Sequence, residues 1–97
     1  MILSFGNKLA QDLVEENRSR EVRAFPEELI RAARKKLAIL HAARELKDLI
    51  SPPGNRLEKL KGERKESYSI RINDQWRIVF RFAGGNAEEV MVEDYHR

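Results

Sequence analysis

The run Tyr68-Ser69-Ile70-Arg71-Ile72-Asn73-Asp74-Gln75-Trp76-Arg77-Ile78-Val79-Phe80-Arg81-Phe82 decides the fold. Tyr68, Ile70 and Ile72 alternate with Ser69, Arg71 and Asn73, and Trp76, Ile78, Phe80 and Phe82 alternate with Arg77, Val79 and Arg81. A period of two sends successive side chains to opposite faces of a strand. Asn73-Asp74 is a tight-turn signal, so the two strands are expected to pair as a hairpin. Their apolar parity assigns Trp76 and Tyr68 to the core. The opposite face then carries Arg71, Arg77 and Arg81 and offers a basic surface for phosphate.

Toward the C-terminus, Gly84-Gly85-Asn86 makes the next turn and Glu89–Tyr95 reads as the last strand. Toward the N-terminus, Ser51-Pro52-Pro53-Gly54-Asn55 breaks regular structure, and a short strand is expected over about Arg56–Leu60. Before that break the period is helical. Phe25-Pro26-Glu27-Glu28 is a helix start, because proline is preorganised for the first turn and acidic residues suit the positive end of the dipole. Ile30, Ala33, Leu37 and Leu40 make an apolar stripe that runs to about Ala43, and Leu46–Ile50 adds a short helical turn. An earlier helix over about Asn7–Glu16 begins at the N-cap candidate Asn7, and polar Asn17–Arg23 reads as a loop. Met1–Phe5 reads as a short strand. Helices followed by strands imply an α+β fold: a small antiparallel sheet packed against two N-terminal helices, in one domain spanning residues 1–97.

Composition narrows the function. The chain has 97 residues, 41% hydrophobic and 36% charged, the latter well above the usual ~25%. It has no cysteine, which excludes disulfides, thiolate zinc and a cysteine nucleophile, and its two histidines are His41 and His96. Uncharged runs reach seven residues, far short of the ~18 a membrane span needs. MILSFGNK lacks a basic segment ahead of an apolar one, so no signal peptide and a cytoplasmic location are expected. Residues 54–82 hold eight basic and four acidic side chains, whereas residues 83–97 hold one basic and four acidic. The basic block, with Arg56, Lys59, Arg64, Lys65, Arg71 and Arg81 as candidate RNA contacts, suits a polyanion. The acidic Glu88, Glu89 and Glu93 read as edge solubility, and His41 as a structural or exposed residue.

Three segments together resemble a known pattern: Gly54-Asn55-Arg56-Leu57-Glu58-Lys59-Leu60-Lys61-Gly62, then Tyr68–Ile78, then Glu93-Asp94-Tyr95-His96. They resemble the HigB branch of the RelE/ParE superfamily, toxins of type II toxin–antitoxin modules also called plasmid-maintenance killer proteins. The resemblance covers nearly the whole chain. It implies a RelE-like fold and a ribosome-dependent endonuclease that cuts messenger RNA in the ribosomal A site without metal or other cofactor. It also implies a HigA-like helix-turn-helix antitoxin as partner, with operator DNA contacted only through the toxin–antitoxin complex.

The residue types suit that chemistry. RNA cleavage through the neighbouring 2′-OH needs a base, cations for the phosphate and an acid for the leaving oxygen. Arg77 offers a planar fork for phosphate oxygens, Lys61 a mobile charge, and His96 a group that titrates near neutrality. Tyr95 offers a phenol, and Asp94 can orient or activate a neighbour. The resemblance places the catalytic set on these same residues, Lys61, Arg77, Asp94, Tyr95 and His96, without dividing base from acid. Glu58 departs from the pattern, since some relatives carry histidine three residues before the lysine. A carboxylate there is a possible base, but it repels RNA. Glu58 motivates a second reading, a non-catalytic ribosome-blocking or corepressor module held by its antitoxin; a third is a ParE-like gyrase poison on the same fold, against which the terminal Asp94-Tyr95-His96 argues.

Overall fold

The computed structural model describes residues 1–64 and 66–95. Three helices come first: α1 (Lys8–Glu15), α2 (Arg20–Ala24) and α3 (Ile30–Ala42). Four strands follow: β1 (Glu58–Lys59), β2 (Ser67–Arg71), β3 (Trp76–Ala83) and β4 (Asn86–Asp94). They form one sheet in the order β1-β2-β3-β4, every neighbouring pair antiparallel. The expected hairpin is present, with Tyr68 opposite Phe80 and Arg71 opposite Arg77. Asn73 shapes its turn, its Oδ1 accepting from the backbone N–H groups of Gln75 (2.9 Å) and Trp76 (2.7 Å).

The core lies between the helices and one sheet face. Leu13, Phe25, Leu37, Leu40 and Leu49 meet Ile70, Ile78, Phe80, Val90 and Val92 there. Trp76 packs against this core, its ring edge-on to Phe25 with centroids 4.8 Å apart. Tyr68 stacks on Phe80 at 6.1 Å. Both aromatic residues thus follow the parity of the strand pattern. Among the described residues no helix is long and apolar enough to cross a membrane.

Several boundaries differ from expectation. Asn17–Arg23 is not simply a loop, because Ser19 accepts from the Val22 N–H (3.3 Å) and so caps the five-residue α2. The helical turn expected over Leu46–Ile50 is a 3-10 turn, Leu46–Leu49, and another, Glu27–Leu29, precedes α3. The strand expected over Arg56–Leu60 is paired only at Glu58 and Lys59. The last strand begins at Asn86 rather than Glu89. It carries a bulge in which Glu89 and Val90 together face Phe80, with Glu89 in the left-handed region (φ 52°).

That bulge receives the N-terminus. Residues 1–6 run parallel to β4, paired at Ile2 with Ala87 and at Phe5 with Val90 rather than as a full strand. Gly6 N–H donates to the Val90 carbonyl (2.7 Å), and a Cβ on Gly6 would stand 2.8 Å from the Glu89 carbonyl oxygen, so only glycine fits this approach. Asn7 extends the ladder with its side chain. Its Nδ2 donates to the Val92 carbonyl (2.9 Å), and its Oδ1 accepts from Val92 N–H (3.3 Å) and from Ala10 N–H (3.1 Å), the last being the N-cap of α1. His41 has a structural partner, since its Nδ1 accepts from the Ile2 N–H (3.1 Å).

Asp12 is the buried charge of the helical side. Its Oδ1 accepts from Asn17 Nδ2 (3.0 Å), and Lys8 Nζ lies 3.0 Å from Oδ2. Hydrogen bonds from Ser19 and Asn17, then Lys8, hold its carboxyl down at about 2 against the opposing effect of burial.

Two outcomes follow. Leu37, 1% exposed, should not tolerate charge: Leu37→Asp is expected to destabilise by about 3–5 kcal/mol in urea unfolding, the scale of an uncompensated buried charge. An unchanged midpoint would contradict the packing of α3. Asp12 is depressed when folded relative to its ordinary 3.8. Its contribution is therefore complete above that value and disappears as pH falls through about 2. Thermal unfolding should lose less stability in Asp12→Asn than in the parent chain between about pH 4 and pH 2, with the variant the weaker of the two at neutral pH.

Candidate functional site

The site is built on the sheet face turned away from the helices. Arg77, Val79 and Arg81 of β3 point there, beside Ser69 of β2 and Met91 and Glu93 of β4. This face is not bare. The segment Arg56–Arg64, a strap, runs along the sheet edge as β1 and then reaches over to Glu93 of β4 through Arg64, and Leu60 and Val79 are buried outside the helix-side core. The strap is tied at several points. Buried Asn55 donates to the carbonyls of Leu49 (3.1 Å) and Ser51 (3.4 Å) and accepts from Lys36 Nζ. Leu60 N–H donates to the Ser67 carbonyl (2.9 Å), and Arg64 pairs with Glu93.

Arg77 is the centre of this arrangement. It is 6% exposed, not open on the surface as the alternation implied, because the strap covers it. Its Nε donates to Ser69 Oγ (2.8 Å), and its Nη2 donates to the Arg56 carbonyl (2.6 Å) and the Ser69 carbonyl (3.3 Å). Arg56 sits in the left-handed region (φ 44°) at the end of the Pro53–Asn55 turn. Glu58 Oε1 stands 3.8 Å from Arg77 Nη2, and the Tyr95 ring centroid lies 5.3 Å from the guanidinium carbon. Burial lowers the basicity of Arg77, Glu58 and then Tyr95 act against that, and Arg71 and Arg56 add to it.

A groove of about 350 Å³ opens beside this centre, lined by Leu60, Lys61, Arg64 and Tyr95. A second, of about 400 Å³, runs along the other side of the strap past Lys59, Lys61, Gly62 and Glu66. Lys61 therefore lies on both. The structure thus brings Lys61, Arg64, Tyr95, Arg77 and Glu58 to one end of the sheet.

The remaining expected residues are placed differently. Asp94 is opposite Trp76 in register, so it belongs to the helix-side parity and not to the face of Arg77; its Oδ2 accepts from Gln75 Nε2 (3.0 Å). Arg81 stands four residues from Arg77, about 13 Å along the strand, and pairs with Glu89 (2.8 Å) and Glu66 (3.6 Å). Arg71 pairs with Asp74. The uniformly basic face read from the alternation is therefore charge-compensated: Arg64, Arg71, Arg77 and Arg81 each have a carboxylate within ion-pair reach. Glu89 and Glu93, read as solubility residues, provide two of these carboxylates. Exposed Arg56, Lys59 and Lys61 make no ion pair among the described residues. Lys65 and His96 lie outside the described residues. Sequence reading missed Ser69, Asn55 and Gln75 as partners; only the burial of Arg77 and the closure of the strap expose their roles.

The fold is that of the RelE-like toxins. The chain aligns over its full length with 99% of a chain from the YoeB-YefM complex of Staphylococcus aureus, with a TM-score of 0.61 at 15% identity. It also aligns over 98% of both chains with the YoeB/ParE toxin from Agrobacterium tumefaciens, with a TM-score of 0.56 at 16% identity. Sequence places it more closely. Residues 3–96 match the family described as the RelE-like toxin of type II toxin–antitoxin system HigB. The chain is 39% identical to Toxin HigB-1 of Vibrio cholerae over 87 residues, 90% of each chain. It is also 44% identical over 41 residues to the Endoribonuclease HigB of Proteus vulgaris, 42% of this chain and 45% of that one. This protein belongs to the HigB family of RelE-like toxins of type II toxin–antitoxin systems.

Arg77→Ala should loosen the strap. It leaves Ser69 Oγ and the Arg56 carbonyl without their donor, a loss of about 1–3 kcal/mol for buried groups left unpaired. Urea unfolding measures it. Arg77→Lys should recover only part, since a point charge cannot span both acceptors. A midpoint unmoved in both variants would mean that the guanidinium does not hold the strap.

Proposed function

We propose that this toxin is a metal-independent endoribonuclease that cleaves messenger RNA in the A site of the translating ribosome. The observation that carries the proposal is the open groove lined by Lys61, Arg64 and Tyr95, with Arg77 beneath the Tyr95 ring and Glu58 beside Arg77. Two cations of different reach stand where a phosphate can enter, and a carboxylate stands beside them. In the reaction Glu58 accepts the proton of the 2′-OH, and the 2′ oxygen attacks the adjacent phosphorus. The bond from phosphorus to the 5′ oxygen breaks, and His96 gives that oxygen its proton. The products are a 2′,3′-cyclic phosphate and a 5′-hydroxyl. Lys61 and the Nη1 edge of Arg77 neutralise the charge that grows on the phosphate oxygens. Tyr95 stacks between Arg77 and the substrate side of the groove.

Lys59, Arg56, Arg64 and Lys65 supply the longer electrostatic path for the RNA strand. Arg71 and Arg81 take part only if RNA displaces their carboxylates. So short a groove contacts little sequence, which fits a substrate strand aligned by the ribosome, and in this reading the toxin acts in the cytoplasm. The endoribonuclease name of the Proteus vulgaris relative supports cleavage. The antitoxin in this reading is a HigA-like helix-turn-helix protein, and the chain meets operator DNA only through that complex. The whole of residues 1–97 acts as one toxin domain.

A second reading has its own observation. Arg77 spends its Nε and Nη2 donors on the chain itself, as it would in a module that blocks the ribosome without cutting. Programmed ribosomes separate the two. Cleaved message with cyclic-phosphate ends is expected from the parent chain. Glu58→Gln should slow it by about 10²–10⁴-fold, the range for losing a positioned base. Intact message on stalled ribosomes at saturating toxin would refute cleavage and favour blocking.

A further inference from the structure

Gln75 lies in the hairpin between Asn73 and Trp76, and neither the core nor the phosphate chemistry uses it. Its side chain and its carbonyl both reach the C-terminal segment. The Gln75 carbonyl accepts from the Tyr95 N–H at 2.6 Å. Its side-chain Nε2 donates to Asp94 Oδ2 at 3.0 Å. The ladder of β3 and β4 ends at the pair Trp76 and Asp94, so Gln75 adds one rung beyond it. Chain ends fray unless they are tied down, and Tyr95 is 38% exposed. A single residue thus grips two consecutive residues at the point where the sheet stops. The Asn73 side chain fixes that grip, because it accepts from the backbone N–H of Gln75 itself.

The placement has a consequence for the groove. Tyr95 is one residue past Asp94, so its side chain turns to the face of Arg77, where the ring lies 5.3 Å from the guanidinium carbon. It also lines the groove with Lys61 and Arg64. Asp94 faces the other way. We propose that Gln75 is a positioning residue that holds Tyr95 over Arg77, with Asp94 acting as its anchor rather than as a group that moves protons. The run Asn73-Asp74-Gln75-Trp76-Arg77 then has one purpose: the turn that starts β3 also sets the wall and the floor of the RNA groove. The catalytic part of this inference rests on the endoribonuclease reading; the positioning part does not.

The test joins a spectroscopic readout to kinetics. The Nε–H signal of Arg77 in a ¹⁵N correlation spectrum reports the Tyr95 ring through its ring current, and Tyr95→Ala marks the signal's position without the ring. Gln75→Ala and Gln75→Glu, the latter equal in length but unable to donate, should both move the signal toward that position. The urea midpoint should stay put, because Gln75 is exposed. In cleavage on programmed ribosomes, kcat should fall by about tenfold or more with KM little changed, since a misplaced group can cost up to about 10²-fold. An Arg77 signal unmoved in both variants overturns the proposal. A moved signal with undiminished kcat overturns its catalytic part. A moved signal in a protein whose parent chain cuts no message upholds the positioning and removes the nuclease reading alone.

Discussion

The rest of the site depends on the burial of one guanidinium. Arg77 lies on the sheet face away from the helices, where a bare arginine would extend into water. Here it stays at the sheet because its donors find fixed acceptors: Ser69 on the neighbouring strand and the Arg56 carbonyl in the strap. A buried charge is costly unless it is hydrogen-bonded and paired. The strap meets that requirement and is held in place by it. Lys61 reaches the groove because Arg56, five residues earlier, is moored on Arg77. One side chain thus organises both the strap and the ring of Tyr95.

The opposite side of the sheet solves a different problem. β4 would be an exposed edge, open to pairing with other chains. Residues 1–6 cover it, and the bulge at Glu89 and Val90 together with the missing side chain of Gly6 lets the two backbones approach. Asn7 then serves both sheet and helix, pairing with Val92 and capping α1. The helices are thereby fixed against the strand that leads into Tyr95 at the groove.

Electrostatics on the strap side are local rather than regional. Net charge counted along the chain implied a basic face, but the carboxylates of Glu58, Glu66, Asp74, Glu89 and Glu93 are interleaved with the arginines. Exposed pairs of this kind contribute little stability. Among the described residues of this side, positive charge without an ion pair is left on the strap, at Arg56, Lys59 and Lys61. Glu58 is the clearest case. As a residue in a sequence it reads both as a candidate base and as repulsion toward RNA. Beside Arg77 it is a counter-ion, 3.8 Å from Nη2.

Alternation from Tyr68 to Phe82, the helical stripe from Ile30 to Leu40 and the breaks at Ser51–Asn55 and Gly84-Gly85 were enough to determine an antiparallel sheet with helices on one face, because period and turn chemistry are local properties. The family pattern added Lys61, Arg77 and Tyr95 by residue type and spacing. The tertiary structure alone decided that Arg77 is covered, that Asp94 faces away from it, that Glu58 pairs with Arg77, and that Gln75 holds the C-terminal segment. Those facts depend on contacts between residues eight to twenty-one positions apart. Strand parity says which side a residue takes, but not what the chain later folds over that side. That was settled by the need of a buried guanidinium for acceptors, and the strap supplied them.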